Sequence, residues 1–331
     1  MSDINATLER LLDSDINISA SSISQGSDSH NYIRDALKGK NDRDALFPRL
    51  IDGDFLSGSY RRGTKLKPLD DIDVMIVIDG TGLSIVNNGY VQDIEVRGSG
   101  NRDNPILQHL GFNSLLGSKT VMSLFQKALS DMYPNSKIRN DEQAVNVWFV
   151  TYGLGIDVVP CFHLIPRDGS RDRYYIPEGN GGDGWKTTNP KIDEEISNAL
   201  HLRHNKLMKK VVRLAKYWNH VSNNNRLKAY HLETLIWHIL DDHSESIESL
   251  ESGLIKFFSA VDNALASVCP DKTALGGPVD QYLSLNDRQL SRGKAQEALN
   301  ALVDAYITHP SDVKLRERVW QQIFSNKLNF L

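Results

Sequence analysis

The order of apolar and polar positions along the chain divides it into a β-rich first part and a helical second part. Residues 1–27 are polar and Ser-rich, ending in Ser22-Ile23-Ser24-Gln25-Gly26-Ser27, and read as a flexible arm with one short helix near Ala6–Leu12. Asp28 or Ser29 is placed to cap a helix running to about Leu46, with Tyr32, Ile33, Ala36 and Leu37 on its apolar side and Gly39, Asn41 and Asp42 as candidate interruptions. Gly58-Ser59 marks a tight turn. Ile72 to Ile78 is an apolar, β-branched run closed by Asp79-Gly80, hence a central strand. A helix over Lys119–Met132 follows. Residues 145–150 and 155–160 then predict two strands joined by a turn at Tyr152-Gly153.

The loop Gly179 to Gly184 is the expected module boundary, with Trp185 anchored at the junction. Beyond Pro190 the period becomes helical: Glu194–Asn219, about Lys228–Asp242, Ser246–Ala266, and two more helices between Asp287 and Phe324. The pattern predicts an α+β protein. Its mixed-sheet core with an N-terminal helix spans 28–188, a helical domain spans 189–331, and a central cleft between two lobes is expected.

Composition narrows the class. Hydrophobic residues make up 40% and charged residues 24%, the balance of an ordinary globular protein. No apolar run approaches the roughly 20 residues of a membrane helix, and the N-terminus has no apolar h-region, so a cytoplasmic enzyme is expected. Two isolated cysteines, Cys161 and Cys269, argue against a disulfide framework and a cysteine zinc site. Thirty-eight basic against 42 acidic side chains give a net charge of −4. A protein bound to long nucleic acid usually carries a basic surplus; small anionic substrates need only a local basic patch.

The candidate chemistry starts with carboxylates. Side chains alternate faces along a strand, so Asp71 and Asp73 point the same way and Asp70 points the other, toward solvent. Like charges so close are costly unless a cation lies between them, and oxygen-only ligands suit Mg²⁺ or Mn²⁺. Asp157, set among Ile156, Val158 and Val159, is the natural third ligand, because a buried carboxylate needs a partner. Two ions on three aspartates would activate a hydroxyl and neutralise a leaving pyrophosphate. Alone, Asp-x-Asp reads better as strand-end carboxylates capping a turn, with Asp157 paired to a lysine, because the pattern is common by chance.

The segment Leu56-Ser57-Gly58-Ser59 lies a dozen residues upstream. Gly58 permits close approach to an anion, and Ser59 offers a hydroxyl and a backbone N–H to a phosphate. Together, apolar-Gly-Ser, the spacer, Asp-x-Asp on a strand and a later aspartate resemble the polymerase-β-like nucleotidyltransferase superfamily. The fuller string from Gly58 through Arg61, Arg62, Lys65, Lys67 and Asp71 to Val74 resembles bacterial CD-NTases, relatives of cyclic GMP–AMP synthase that make cyclic oligonucleotide signals in CBASS antiphage defence. The likeness continues through Leu214-Ala215-Lys216-Tyr217-Trp218-Asn219 and covers about residues 28–330.

That resemblance implies ATP as substrate, with GTP as a second candidate, and two Mg²⁺ or Mn²⁺ ions. A ribose hydroxyl would attack an α-phosphate, pyrophosphate would leave, and the linear product would be cyclised. It also implies a downstream effector and, in some operons, a HORMA-type regulatory partner.

By helical period, Lys206, Lys209, Arg213, Lys216 and His220 oppose the apolar face of Leu207, Val211, Leu214 and Trp218. Most of these read as a solvated basic face; Lys216 matches the family's triphosphate-contacting lysine. Tyr230 matches a base-stacking tyrosine, its alternative being helix packing, and Ala229 stands where the family shows serine. The competing readings are an RNA-terminal nucleotidyltransferase and an inactive nucleotide-binding scaffold on the same fold.

Overall fold

A computed structural model describes residues 4–87, 94–99, 103–151, 153–165, 172–179, 181–242 and 245–330. It resolves two compact units. One comprises Ser19–Arg61 and Pro68–Lys191; the other comprises Met1–Ile18, Arg62–Lys67 and Ile192–Leu331. The expected division at residue 188 is therefore corrected in two places, because an N-terminal stretch and a six-residue strap both belong with the C-terminal helices.

Among the described residues the sheet unit holds nine strands. β1 (Phe55–Leu56), β2 (Asp71–Ile78), β3 (Leu83–Asn87), β4 (Ile94–Gly98), β5 (Lys137–Asp141), β6 (Ala144–Phe149), β7 (Leu154–Leu164), β8 (Arg173–Pro177) and β9 (Trp185–Thr188) join in the order β1-β2-β7-β8-β9-β4-β3. β6 pairs with both β5 and β7. β2 and β7 run parallel; the other pairings are antiparallel. The parallel pair is the apolar centre, with Ile72, Val74, Ile156 and Val158 fully buried, as strands covered on both faces require. Of the turn expected between β6 and β7, Tyr152 lies outside the described residues, as does Asn180 of the glycine-rich loop. Trp185, expected at a domain junction, is instead buried in this unit: it packs on Phe162 and donates from Nε1 to the Leu116 carbonyl at 2.8 Å.

Two helices cover this unit. α2 (Ala20–Arg43) starts well before the expected Asp28 and ends short of Leu46. Ser19 caps it, its hydroxyl accepting from the Ser22 N–H at 3.1 Å. Gly26, read from sequence as the end of a flexible arm, lies inside the helix. A Cβ there would stand 2.6 Å from Ile72 Cδ1, so the glycine lets α2 approach β2. α4 (Ser118–Met132) forms as expected, burying Val121, Phe125 and Leu129.

The helical unit begins with α1 (Ile4–Leu11) and a π-helical turn (Leu12–Ile16). Leu8, Leu12 and Ile16 are fully buried in one core with Leu254, Phe258 and Trp218, which overturns the expected loose arm. α5 (Pro190–Arg203) and α6 (Met208–Ser222) were expected as one helix; Asn205 and Lys206 adopt left-handed φ of 52° and 59° between them and break it. α7 (Ala229–Asp241), α8 (Leu250–Ala266), α9 (Leu285–Val303) and α10 (Val313–Ile323) complete the unit. Among the described residues no helix is long and apolar enough to cross a membrane. Both cysteines are buried thiols.

Candidate active site

In the sheet unit, β1 hands the chain into a turn tied to β2, where the Ser57 N–H donates to the Asp73 carbonyl at 2.9 Å. Gly58 follows with φ +66°, and a side chain there would overlap the Asp73 carboxylate. Glycine is thus required both by backbone conformation and by space. The five-residue helix α3 (Gly58–Arg62) starts at this point, with Ser59 half-buried in its first turn.

β2 and β7 are in parallel register, with Asp73 opposite Asp157 and Asp71 opposite Gly155. Directly paired residues on neighbouring strands sit about 4.8 Å apart and share a face. Asp71, Asp73 and Asp157 therefore occupy adjacent positions on one face of the sheet, each half-buried, while Ile72, Val74, Ile156 and Val158 fill the other. Asp70 lies just outside β2, exposed, its carbonyl accepting from the Gly155 N–H at 2.8 Å. Farther along, the same face turns apolar with Met75, Val77, Val159, Cys161 and Tyr174.

Asn146 of β6 stands in register with Asp157, and its Nδ2 donates to Asp157 Oδ1 at 2.7 Å. The donor set is all oxygen and anionic, which fits a hard divalent cation. The fit lies in the strand register. Among the described residues no three His, Cys, Asp or Glu side chains are already gathered around a point where an ion would sit.

Lys216 and Tyr230 belong to the helical unit. Lys216, expected to offer its ammonium to a triphosphate, is instead buried, its side chain 6% exposed. Its Nζ donates to Glu233 Oε1 at 2.5 Å and to the Thr64 carbonyl at 3.0 Å. Arg62, one of the basic residues clustered after the Gly-Ser turn, grips the same carboxylate through Nε at 2.9 Å and a second nitrogen at 3.3 Å. Burial pushes the Glu233 carboxyl up, but Arg62 and then Lys216 outweigh it and hold it down at about 2. Burial in turn pulls the Lys216 ammonium below its ordinary value against the pull of Glu233.

Tyr230 is half-buried. The Arg62 guanidinium lies 5.5 Å from its ring centroid, and its hydroxyl donates to Asp193 Oδ1 at 2.8 Å. Burial raises the Asp193 carboxyl to about 6, opposed by Arg62. Two more residues of the expected basic face are also engaged, Arg213 donating to the Gly63 carbonyl and Lys209 to Asn198.

The structure thus brings Asp71, Asp73, Asp157, Gly58 and Ser59 together on the sheet unit, and places Lys216 and Tyr230 in a charged cluster of the helical unit. Sequence reading passed over Asn146, Asp193 and Glu233. For Asn146 and Glu233 the signal was a polar residue inside a largely apolar run, as in Val145-Asn146-Val147 and Leu232-Glu233-Thr234-Leu235; Asp193 lies in a polar stretch and carried none.

Comparison with known proteins agrees with this geometry. The Second Messenger Oligonucleotide or Dinucleotide Synthetase (SMODS) domain family matches residues 1–95, the segment carrying the Gly-Ser turn and two of the aspartates. A probable cyclic nucleotide synthase of Bacillus cereus (strain VD146) is 29% identical over 194 residues, so the match spans 57% of this chain and 57% of that relative's length. A cyclic AMP-AMP-AMP synthase of an Acinetobacter species is 24% identical, covering 98% of this chain and 86% of that protein. Among solved structures, E. coli MS115-1 CdnC with ATP superposes with a TM-score of 0.69, and its complex with HORMA-deltaN with 0.68; both are 18% identical and cover 98% of either chain. At that identity the superpositions speak for the α+β nucleotidyltransferase fold. The SMODS match covers the turn and two of the aspartates, and over most of its length the chain is similar to cyclic nucleotide synthases.

Proposed function

We propose that this protein joins nucleoside triphosphates, ATP among them, into a cyclic di- or trinucleotide and releases pyrophosphate. The observation that carries the reading is the register of β2 and β7, which sets Asp71, Asp73 and Asp157 on adjacent positions beside the Gly58-Ser59 turn. Support for the product class comes from relatives named as cyclic nucleotide and cyclic AMP-AMP-AMP synthases, and for ATP from a fold neighbour solved with it.

In this reading a ribose hydroxyl of one nucleotide attacks the α-phosphorus of another. The bond from that phosphorus to the bridging oxygen of pyrophosphate breaks, and the hydroxyl proton passes to solvent. The same exchange within the linear product closes the ring. Asp71, Asp73 and Asp157 would hold two Mg²⁺ or Mn²⁺ ions, which supply charge neutralisation at the reacting phosphates. The Ser59 hydroxyl and backbone N–H bind phosphate at a position Gly58 keeps open. Asp157 orients the attacking hydroxyl. Lys216 and Tyr230 act by holding the strap Arg62–Lys67 in its helical unit, since their polar atoms are already engaged there.

The reading extends to GTP as a second substrate, to a HORMA-type regulator such as the one bound to E. coli MS115-1 CdnC, and to an antiphage effector that responds to the product in the cytoplasm. It is tested by incubating the protein with Mg²⁺ or Mn²⁺ and labelled nucleoside triphosphates, with and without a HORMA-type protein, then treating the products with phosphatase. A phosphatase-resistant oligonucleotide is expected. Product formed only when RNA is supplied would move the assignment to a terminal nucleotidyltransferase.

A further inference from the structure

Resting on the reading of Asp157 as a cation ligand, we propose that Asn146 is the positioning residue for that carboxylate, and that Gly155 is a glycine in order to let Asn146 reach it. Asn146 is 9% exposed and sits in an interior strand between Val145 and Val147, both fully buried. A polar amide there costs stability unless its groups are bonded. Its Nδ2 donates to Asp157 Oδ1 at 2.7 Å. An ionised carboxylate only accepts, so this contact fixes which end of the amide faces it.

The neighbouring position on β7 completes the arrangement. A Cβ on Gly155 would lie 3.0 Å from Asn146 Nδ2, 2.9 Å from the Asp70 carbonyl and 3.4 Å from Trp148 Cε3. Glycine therefore leaves the gap through which the amide passes between Trp148 and Asp157. The contact engages one oxygen of a carboxylate whose residue shares a face of the sheet with Asp71 and Asp73. Asp73 is set in a comparable way from the other side, its carboxylate lying against Gly58. Two of the three acids are thus aimed by groups that carry no charge of their own, which preserves the negative charge a divalent ion requires.

The test is Mn²⁺ binding to the metal-free protein, read from the free-ion electron paramagnetic resonance signal, in parent, Asn146→Ala and Asp157→Ala. Asn146→Ala should weaken the affinity by about 10–100-fold while the secondary structure by circular dichroism is kept. Its turnover should recover at raised Mg²⁺, which a packing defect would not allow. If Asn146→Ala does not fold, Asn146→Thr, suited to a strand, carries the same measurement. Gly155→Ala should give a smaller loss of the same kind by crowding the amide. Parent-like Mn²⁺ affinity in Asn146→Ala, with affinity lost in Asp157→Ala, overturns the proposal for Asn146 alone. Unchanged affinity in Asp157→Ala overturns the metal reading beneath it.

Discussion

Two regions of this protein concentrate charge, and they do so by opposite rules. On the sheet face, three carboxylates occupy adjacent register positions, and the groups that shape them are an amide and a glycine. In the helical unit, one fully buried carboxylate, Glu233, is gripped by two cations of the same chain, Arg62 and Lys216. The second arrangement is internally balanced and gains from being sealed. The first accumulates like charge at half-buried positions, which costs stability and favours the arrival of a cation. The sealed charges and the proposed chemistry thus fall in different units.

The sharpest way to break this contrast is to neutralise both faces in turn. Asp71→Asn with Asp73→Asn should lower turnover by on the order of 10³ or more, with the thermal midpoint in metal-free buffer unchanged or raised because repulsion is relieved. A fall in that midpoint would place these aspartates with the structural charges instead. Glu233→Ala should do the reverse. It leaves two buried cations unmatched and should cost about 3–5 kcal/mol in chemical denaturation, and a loss below about 1 kcal/mol would remove the contrast.

A smaller and mixed effect is expected from Gly58→Ala, which meets both an unfavourable φ and the Asp73 carboxylate. About 1–3 kcal/mol of stability should be lost together with a reduced turnover, and Gly53→Ala, at φ +121° but facing only open contacts, gives a control for strain alone. If the two substitutions lowered turnover equally, Asp73 would have no special claim on Gly58.

The smallest effect is in pH dependence. The folded Asp193 carboxyl lies near 6, above its ordinary 3.8, so folding favours its protonated form. Stability from this group is full below about 3.8 and declines as pH rises through 6. Glu233, held near 2 against an ordinary 4.5, contributes stability above 4.5 that is lost as pH falls toward 2. Asp193→Asn should therefore flatten the midpoint between pH 4 and 6 and leave the acid limb in place. A parent-like slope across that window would show that Asp193 titrates without linkage to folding.

These contrasts also explain what could be read in advance. The strand bearing Asp71 and Asp73 was legible because period-two alternation and β-branched residues act locally, and the Gly-Ser turn because glycine marks its own conformation. α2 was misread over residues 20–27 because its Ser and Gly residues have weak helix propensity; Gly26 is helical owing to its contact with Ile72, a tertiary fact. Lys216 read as a cation open to a triphosphate because helical period assigns a face but not what covers it. Its cover is Thr64, 152 residues away in sequence, and Glu233 on the next helix. Asn146 and Asp157 lie eleven residues apart on strands whose register no local pattern supplies.

The composition of the helical unit sets the order in which the chain is finished. Its core draws on residues 4–16, the strap 62–67, and helices beyond residue 190. The side chain of Asn5 meets Glu251 across 246 positions of sequence. During synthesis, Leu8, Leu12 and Ile16 have no cover until the helices from about Met208 onward have left the ribosome, whereas the sheet unit, which ends at Lys191, can close earlier. The apolar turn at residues 12–16 is thus a long-waiting sticky surface of the nascent protein, and the strands bearing Asp71, Asp73 and Asp157 are made before the helices that hold the strap.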